Sequence, residues 1–206
     1  MDKLIDTVLA LKHFKATDPV MVQLLKVALK GAVPLSLPTP KQPHEYFGSI
    51  ISSIVSQQIS TAAARSIKAR VVEALGELTP ESVLAIEFTT LKACGLSEKK
   101  TEYIKHNAEI WHEIPIKNFT KLSNEEIITE LTKLYGIGRW TAEMFLMFSL
   151  TRADVFSFGD LGLMQGLYKH YNLKPHFNRK ISKTVETWSP HRTIASLTLW
   201  HNKDNH

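Results

Sequence analysis

Two glycines on either side of a single residue, Gly136 and Gly138, mark the stretch of this sequence whose residue types could do chemistry. Glycines permit positive φ and leave the backbone uncovered. A helical run begins at Arg139, and the first N–H groups of a helix have no intrahelical partner. Uncovered amides at the positive end of a helix dipole suit a phosphate, to which Arg139 and Thr141 would add side-chain contacts. The alternative is an ordinary corner between two helices, with glycine as the C-cap.

Asp160 is the second feature of chemical interest. It stands between an extended, aromatic-rich segment, residues 155–158, and a helical run from Leu161 to Tyr171. An isolated aspartate at the start of a helix most often caps that helix. A chemical role for Asp160 therefore needs support from more of the chain.

The segments around the glycines predict a helical hairpin. Ser123 to Leu134 is amphipathic with apolar residues at helical spacing, and Ser123 and Glu126 have the spacing of a capping box. Arg139 to Leu150 is a second helical run. The hairpin motif should therefore span residues 123–150.

Helical periodicity recurs along the rest of the chain, and strand signals are nearly absent. The fold class is therefore predicted to be all-α, with roughly ten helices. A chain of 206 residues can bury one sizeable core or two small lobes. We expect residues 1–206 to form a single functional domain.

Composition limits the classes of partner and compartment. The net charge of +5 and the pI of about 9.2 favour an acidic partner such as nucleic acid without requiring one. A single cysteine, Cys94, excludes an internal disulfide and fits a reducing, intracellular compartment. The histidines are scattered without zinc-binding spacing. No apolar run approaches the length that crosses a membrane, so no membrane partner is expected.

The motifs taken together carry a resemblance to a known family. The pattern L-x-G-I-G-R-W-T-A, followed by D-V-F-x-x-x-D-L-G, resembles the helix-hairpin-helix DNA glycosylases. Within them it looks most like the alkylbase branch, the DNA-3-methyladenine glycosylases II of bacteria and yeasts. The block from Ile50 to Ser60 is typical of the same branch, and the resemblance covers Phe47 to Trp200. It implies two helical lobes with a DNA-binding cleft between them, and N- and C-terminal helices that share one lobe.

The resemblance also assigns roles to residues. Asp160 matches the catalytic acid of the family, where a carboxylate stabilises positive charge on the deoxyribose and can orient the attacking water. Before that step, the base must be flipped out of the stack. Gln58, with Gln57 beside it, matches the wedge that fills the gap in the duplex, and Ser60 follows in the same DNA-binding region. The alternative for the glutamines is that they are simply polar residues ending a helix.

Trp140 bears on the type of reaction. Relatives that also cut the DNA strand carry a lysine at this position, which forms a Schiff base with the sugar. Tryptophan cannot do this, so the resemblance implies base release without strand cleavage. Trp140 could also stack on an electron-poor alkylated base. Phe47, Phe158 and Trp188 are weaker candidates for the base pocket, and core packing is the alternative for all four aromatic residues.

No cofactor is expected to be required. The endonuclease III branch holds an iron–sulfur cluster with four spaced cysteines, and this chain has one cysteine. The resemblance implies a structural Na⁺ or K⁺ in the hairpin instead, held by the main-chain carbonyls of Thr132, Leu134 and Ile137.

The sequence leaves three hypotheses about function. The first is a monomeric, monofunctional glycosylase that excises 3-methyladenine and 7-methylguanine from duplex DNA in base excision repair. The second is a relative that binds abasic or damaged DNA without excising bases; Gly159 beside the acid, and Ser60 after the wedge, keep it open. The third is a general docking module for DNA or protein. Repair of cellular DNA would place the protein in the nucleus of a eukaryote or the cytoplasm of a bacterium.

Overall fold

The described part of the chain, residues 5–174 and 178–204 of a computed structural model, consists of α-helices, short 3-10 turns and connecting loops. No strand occurs within these two ranges, and the predicted all-α fold class is confirmed. The helices in chain order are α1 Thr7–Thr17, α2 Pro19–Lys30, α3 Tyr46–Ser56, α4 Thr61–Leu75, α5 Pro80–Ala85, α6 Phe88–Ala93, α7 Glu98–Ile110, α8 Asn124–Leu131, α9 Arg139–Phe148, α10 Leu161–Tyr171, α11 Asn178–Glu186 and α12 Arg192–Asp204. The 3-10 turns are Pro43–Glu45, Trp111–Glu113 and Ile116–Asn118.

The capping residues set several of the helix starts. Ser123 caps α8, and its side chain and that of Glu126 form the predicted capping box. The helix ends at Leu131 rather than at Leu134, because the backbone turns there and the Leu134 N–H donates to the Leu131 carbonyl at 3.1 Å. Helix α9 starts at Arg139, as predicted, and ends at Phe148 instead of Leu150.

The described chain divides into two compact units. One consists of residues 40–145, and the other combines the residues before and after that segment. The unit formed by the two ends of the chain therefore contains α1, α2 and α10 to α12, whereas the middle unit contains α3 to α8. The prediction that the whole chain acts as one functional domain stays a prediction.

The core of the unit formed by the chain ends is organised around one buried carboxylate. Asp18 caps α2 through a hydrogen bond from the Met21 N–H at 2.9 Å. Its other oxygen accepts hydrogen bonds from the Tyr171 hydroxyl and from Nε1 of Trp188, each at 2.7 Å. Three donors on one carboxylate offset the cost of burying its charge. They also tie the start of α2 to the end of α10 and to Trp188, which is fully buried.

The core of the middle unit is apolar and partly aromatic. The rings of Tyr46, Phe119 and Phe145 contact one another, with centroids 5.2 to 6.1 Å apart. Phe47 packs edge-on against Trp111 at 5.1 Å. This core fixes α3, and with it the loop that follows α3. Along the part of the chain that the structure describes, every helix is too short or too polar to cross a membrane.

Candidate functional site

The turn between α8 and α9 contains both glycines of the predicted hairpin, and the two have different surroundings. Gly136 has φ of 76°, and a Cβ atom added there would collide with the ring of Tyr103. Glycine is therefore required at 136 by the fold itself. A Cβ at Gly138 would meet no atom within 4 Å. The protein leaves open space at Gly138, directly before the first turn of α9.

Two side chains from other parts of the chain hold this turn. Asn107 of α7 makes two hydrogen bonds with the backbone of Tyr135, one to its carbonyl at 3.0 Å and one from its N–H at 2.7 Å. Nε2 of Gln57, directly after α3, donates to the Gly136 carbonyl at 2.7 Å. The position of the turn is thus set by residues far away in the sequence.

Arg139 is held by acidic neighbours. Its guanidinium forms a two-pronged contact with Glu125, with one N–O distance of 2.9 Å, and Nε lies 3.0 Å from Oε1 of Glu143. The hydrogen bonds from Arg139 lower the pKa of the Glu125 carboxyl. Thr141, the other residue expected to contact phosphate, is buried. Thr141 is therefore not placed for a side-chain contact to phosphate, whereas the Arg139 side chain is 58% exposed but bonded to two carboxylates. A phosphate at this turn would then rely mainly on the backbone amides.

The two glutamines predicted to form the wedge differ in exposure and in hydrogen bonding. Gln57 is half-buried and is used in the hydrogen bond to Gly136. Gln58 is exposed and adopts φ of 57°, which is uncommon for a residue other than glycine. Ser60 is exposed and caps α4 by accepting from the Ala63 N–H at 3.2 Å. Insertion of the Gln57 side chain into DNA would break its hydrogen bond to Gly136, whereas no such bond is described for the Gln58 side chain.

Asp160 is both a helix cap and a candidate catalytic acid. Its Oδ1 atom accepts a hydrogen bond from the Leu163 N–H at 2.8 Å, which makes it the N-cap of α10. The same oxygen accepts from Nε1 of Trp200 at 3.0 Å. A Cβ at Gly162 would lie 3.1 Å from that oxygen and from the indole nitrogen, so glycine leaves room for their contact. The carboxylate is 9% exposed and held in one orientation from two directions.

Trp200 is the site residue that sequence reasoning missed. It lies in α12, and its ring stacks on Phe148 with centroids 6.0 Å apart and planes 25° apart. Phe148 is 40% exposed. The contact between Trp200 and Asp160 joins residues 40 positions apart. No local pattern in the sequence signals such a pairing.

The four aromatic pocket candidates separate by exposure. Phe47 and Trp188 lie in the two cores and are 1% and 0% exposed, so the core-packing alternative describes their position. Trp140 and Phe158 are 48% and 50% exposed. Only these two of the four have ring surface available to a ligand.

The three carbonyls predicted to hold a monovalent cation belong to the hairpin turn. The Leu134 carbonyl accepts from the Ile137 N–H at 3.2 Å, and a carbonyl oxygen has a second lone pair for an ion. Carbonyl oxygens are hard ligands, which fits Na⁺ or K⁺. Within residues 5–174 and 178–204, no group of three or more His, Cys, Asp or Glu side chains could hold a metal ion.

Comparisons with known proteins agree on one family. Residues 51–191 match the model of the HhH-GPD superfamily of base excision DNA repair proteins. The chain is 38% identical to DNA-3-methyladenine glycosylase 1 of Schizosaccharomyces pombe, over 78% of this chain and 72% of the relative. A crystal structure of DNA-3-methyladenine glycosidase from Bacillus halodurans superposes with a TM-score of 0.82 at 34% identity, covering 95% and 89% of the two chains. The S. pombe 3-methyladenine DNA glycosylase in complex with abasic DNA gives 0.74 at 33% identity, covering 93% and 94%.

Proposed function

Because this chain belongs to the HhH-GPD superfamily of base excision DNA repair proteins, in its alkylbase glycosylase branch, we propose that it excises alkylated purines from duplex DNA. The substrates are 3-methyladenine and 7-methylguanine, and the products are the free base and an abasic site. The observation that carries the proposal is the placement of Asp160. Its carboxylate is nearly buried and is fixed by the N–H groups of Leu163 and Trp200.

The chemistry of the reaction explains why a fixed carboxylate is needed. As the N-glycosidic bond breaks, positive charge develops on the deoxyribose, and an adjacent carboxylate stabilises it. The negative charge acts through its distance to the sugar, so its orientation must be set before the substrate arrives. Two N–H donors on Oδ1 provide that orientation. The carboxylate also orients or deprotonates the water that attacks the sugar carbon.

The residue at position 140 also bears on the kind of product. Trp140 carries no amine that could form a Schiff base with the sugar, so the reaction stops at base release. Its exposed ring, like that of Phe158, is available to stack on an electron-poor base. The backbone amides at Gly138 bind a phosphate of the DNA, and the carbonyls of Thr132, Leu134 and Ile137 are the groups that would hold a monovalent cation beside it.

Base release from methylated duplex DNA tests this function, with wild type and Asp160→Asn measured side by side. Asparagine keeps an oxygen that can accept from Leu163 and Trp200 but removes the charge, so the fold and the cap persist. We expect wild type to release methylated bases and the variant to be slower by about a hundredfold or more. We also expect both proteins to bind an abasic-site duplex equally well.

The alternative, a lesion-binding relative without excision, predicts a different pattern. Neither protein would then release a base, although both would bind the abasic duplex tightly. Gly159, which kept this alternative open, adopts an ordinary φ and lies in open space. The two hydrogen bonds of Asp160 form with glycine at this position, which favours the hypothesis of an active glycosylase. We place the protein, as a monomer, in the compartment that holds the cell's DNA.

A further inference from the structure

The loop after α3 holds one residue in an unfavourable backbone conformation. Gln58 has φ of 57°, in the left-handed region, and its side chain is exposed. A residue other than glycine stays in this region only when its surroundings hold it there. The contacts that hold Gln58 are therefore informative about its role.

Lys100 holds the start of this loop. Its Nζ atom donates to the carbonyl of Val55 at 2.8 Å and to that of Gln57 at 2.7 Å. Both carbonyls lie at the C-terminal end of α3, where helical carbonyls have no intrahelical partner and the dipole favours a cation. Burial lowers the pKa of Lys100, as expected for an ammonium that has exchanged water for backbone acceptors.

Gln57 connects the same loop to the hairpin. Its side-chain amide donates to the carbonyl of Gly136 at 2.7 Å, across 79 residues of sequence. Gly136 is itself fixed, because its φ is positive and Tyr103 packs against it. Gln58 is therefore bonded covalently to a residue whose carbonyl is held by α7 and whose side chain is held by the hairpin.

We propose that Gln57 and Lys100 are positioning residues that join the wedge, Gln58, to the phosphate-binding turn as one rigid part. This inference rests on the proposed function, in which Gln58 enters the duplex while the turn holds a phosphate. A wedge displaces a base only if deforming the loop that carries the wedge costs more free energy than unstacking the base. The hydrogen bonds of Gln57 and Lys100 supply that resistance without touching the DNA. They set how efficiently a base is flipped, whereas the hairpin amides set how tightly DNA is bound.

Substitutions that remove the donors but keep the side-chain length test the proposal. Gln57→Met and Lys100→Met each remove hydrogen bonds to the loop or the turn. Lys99→Met is the matched control, because it removes the same charge from the adjacent lysine. The Lys99 ammonium lies over the ring of Tyr103 and does not contact the loop. Lys100→Arg keeps a cation with several donors and is the conservative rescue.

Base flipping is measured directly, without relying on excision. The duplex carries 7-methylguanine on a 2′-fluoro sugar, which resists cleavage, with 2-aminopurine next to it as a fluorescent reporter of unstacking. The modified base is paired with cytosine in one duplex and mispaired with thymine in the other. Affinity for an undamaged duplex is measured in parallel.

For the paired lesion, we expect Gln57→Met and Lys100→Met to reduce the flipped fraction by about fivefold to tenfold, the effect of losing a hydrogen bond. For the mispaired lesion the reduction should be less than about twofold, because such a base is easier to flip. The double variant should lose little more than either single one, since both act through the same loop. Lys99→Met and Lys100→Arg should flip the base as wild type does. Affinity for undamaged DNA should depend only on net charge, so it should fall equally in the two Lys→Met variants and stay unchanged in Gln57→Met and Lys100→Arg.

Three results would overturn the proposal: unchanged flipping in both variants, equal losses for paired and mispaired lesions, or no flipping signal from wild type. Equal losses would mean that the loop has lost its general structure rather than its resistance to deflection. Failure of the proposed function is distinguishable, because it appears as no base release by wild type from ordinary methylated DNA. The fluorescence measurement still decides the role of Gln57 and Lys100 in that case.

Discussion

Asp160 receives hydrogen bonds of two different origins on one oxygen. The donor at Leu163 is a backbone N–H that any N-cap residue would engage, and it fixes the carboxylate relative to α10. The donor at Trp200 is a side chain from α12, and it fixes the carboxylate relative to a second helix. The cap alone would serve stability, whereas the indole contact adds an orientation that a structural cap does not need. A change at Trp200 therefore tests the proposed catalytic role of Asp160 separately from its role as a helix cap.

Trp200→Phe tests that separation. Phenylalanine keeps an aromatic ring against Phe148 but removes the N–H that orients Asp160. We expect single-turnover base release to fall by about tenfold, the effect of one lost hydrogen bond to a charged group. Affinity for an abasic-site duplex should change by less than about twofold, since no phosphate contact is lost.

A control comes from the other compact unit. Trp111→Phe makes the same substitution in a buried tryptophan that packs on Phe47. It should leave the rate constant of base release per folded molecule unchanged. Release by Trp200→Phe at the wild-type rate would show that the indole N–H does not position the acid.

At the scale of elements, the hairpin between α8 and α9 uses its two glycines for different purposes. Gly136 serves the fold, because its positive φ and the adjacent Tyr103 ring exclude a side chain. Gly138 has no such constraint, since its φ is ordinary and the space around it is open. The reason for glycine at 138 is therefore to be sought in a ligand that approaches the backbone.

Gly138→Ala and Gly136→Ala should differ accordingly. Gly138→Ala should unfold at the same denaturant concentration as wild type but bind DNA about tenfold more weakly, because the methyl group keeps a phosphate from the amides. Gly136→Ala should lower the free energy of unfolding by at least about 1–2 kcal/mol, the cost of the left-handed backbone, and the collision with Tyr103 adds to that cost. Denaturant unfolding and DNA titration measure the two effects separately. Wild-type affinity in a stable Gly138→Ala protein would rule out the phosphate role of this turn.

The helices could be predicted from sequence because capping and periodicity act between residues close in the chain. The hydrogen bonds between helices could not, because they join residues far apart in the chain. The capping box of Ser123 and Glu126 acts over four residues, so the start of α8 was readable and is confirmed. The hydrogen bonds of Gln57 to Gly136 and of Trp200 to Asp160 span 79 and 40 residues. Helical periodicity does not encode which polar side chain reaches a particular carbonyl on another helix. The same limit applies to Phe47 and Trp188, which were weaker pocket candidates with core packing as the alternative and which lie in the cores.

At the scale of the whole molecule, the net charge of +5 favours association with DNA but does not identify the residues that contact it. Arg139 shows the difficulty. Its position in the hairpin predicted a phosphate contact, yet Glu125 and Glu143 hold its guanidinium. These three side chains together carry a net charge of −1. We therefore expect any phosphate contact at this turn to depend on the backbone amides and the helix dipole, with basic groups elsewhere supplying long-range attraction.

The dependence of affinity on salt distinguishes these sources of attraction. Each phosphate neutralised by a protein cation contributes about −0.9 to the slope of log affinity against log salt. If Arg139 does not contact a phosphate, Arg139→Gln leaves the slope unchanged, although affinity falls because Glu125 and Glu143 lose their counter-charge. Glu125→Gln should have the opposite effect: it removes the charge of one of the two carboxylates that hold the guanidinium, so affinity at low salt should rise and the slope should steepen by up to about one unit. Titrations of an abasic-site duplex at several salt concentrations measure both slopes. A slope that flattens by about one unit in Arg139→Gln would return this arginine to the phosphate contact that its place in the sequence predicted.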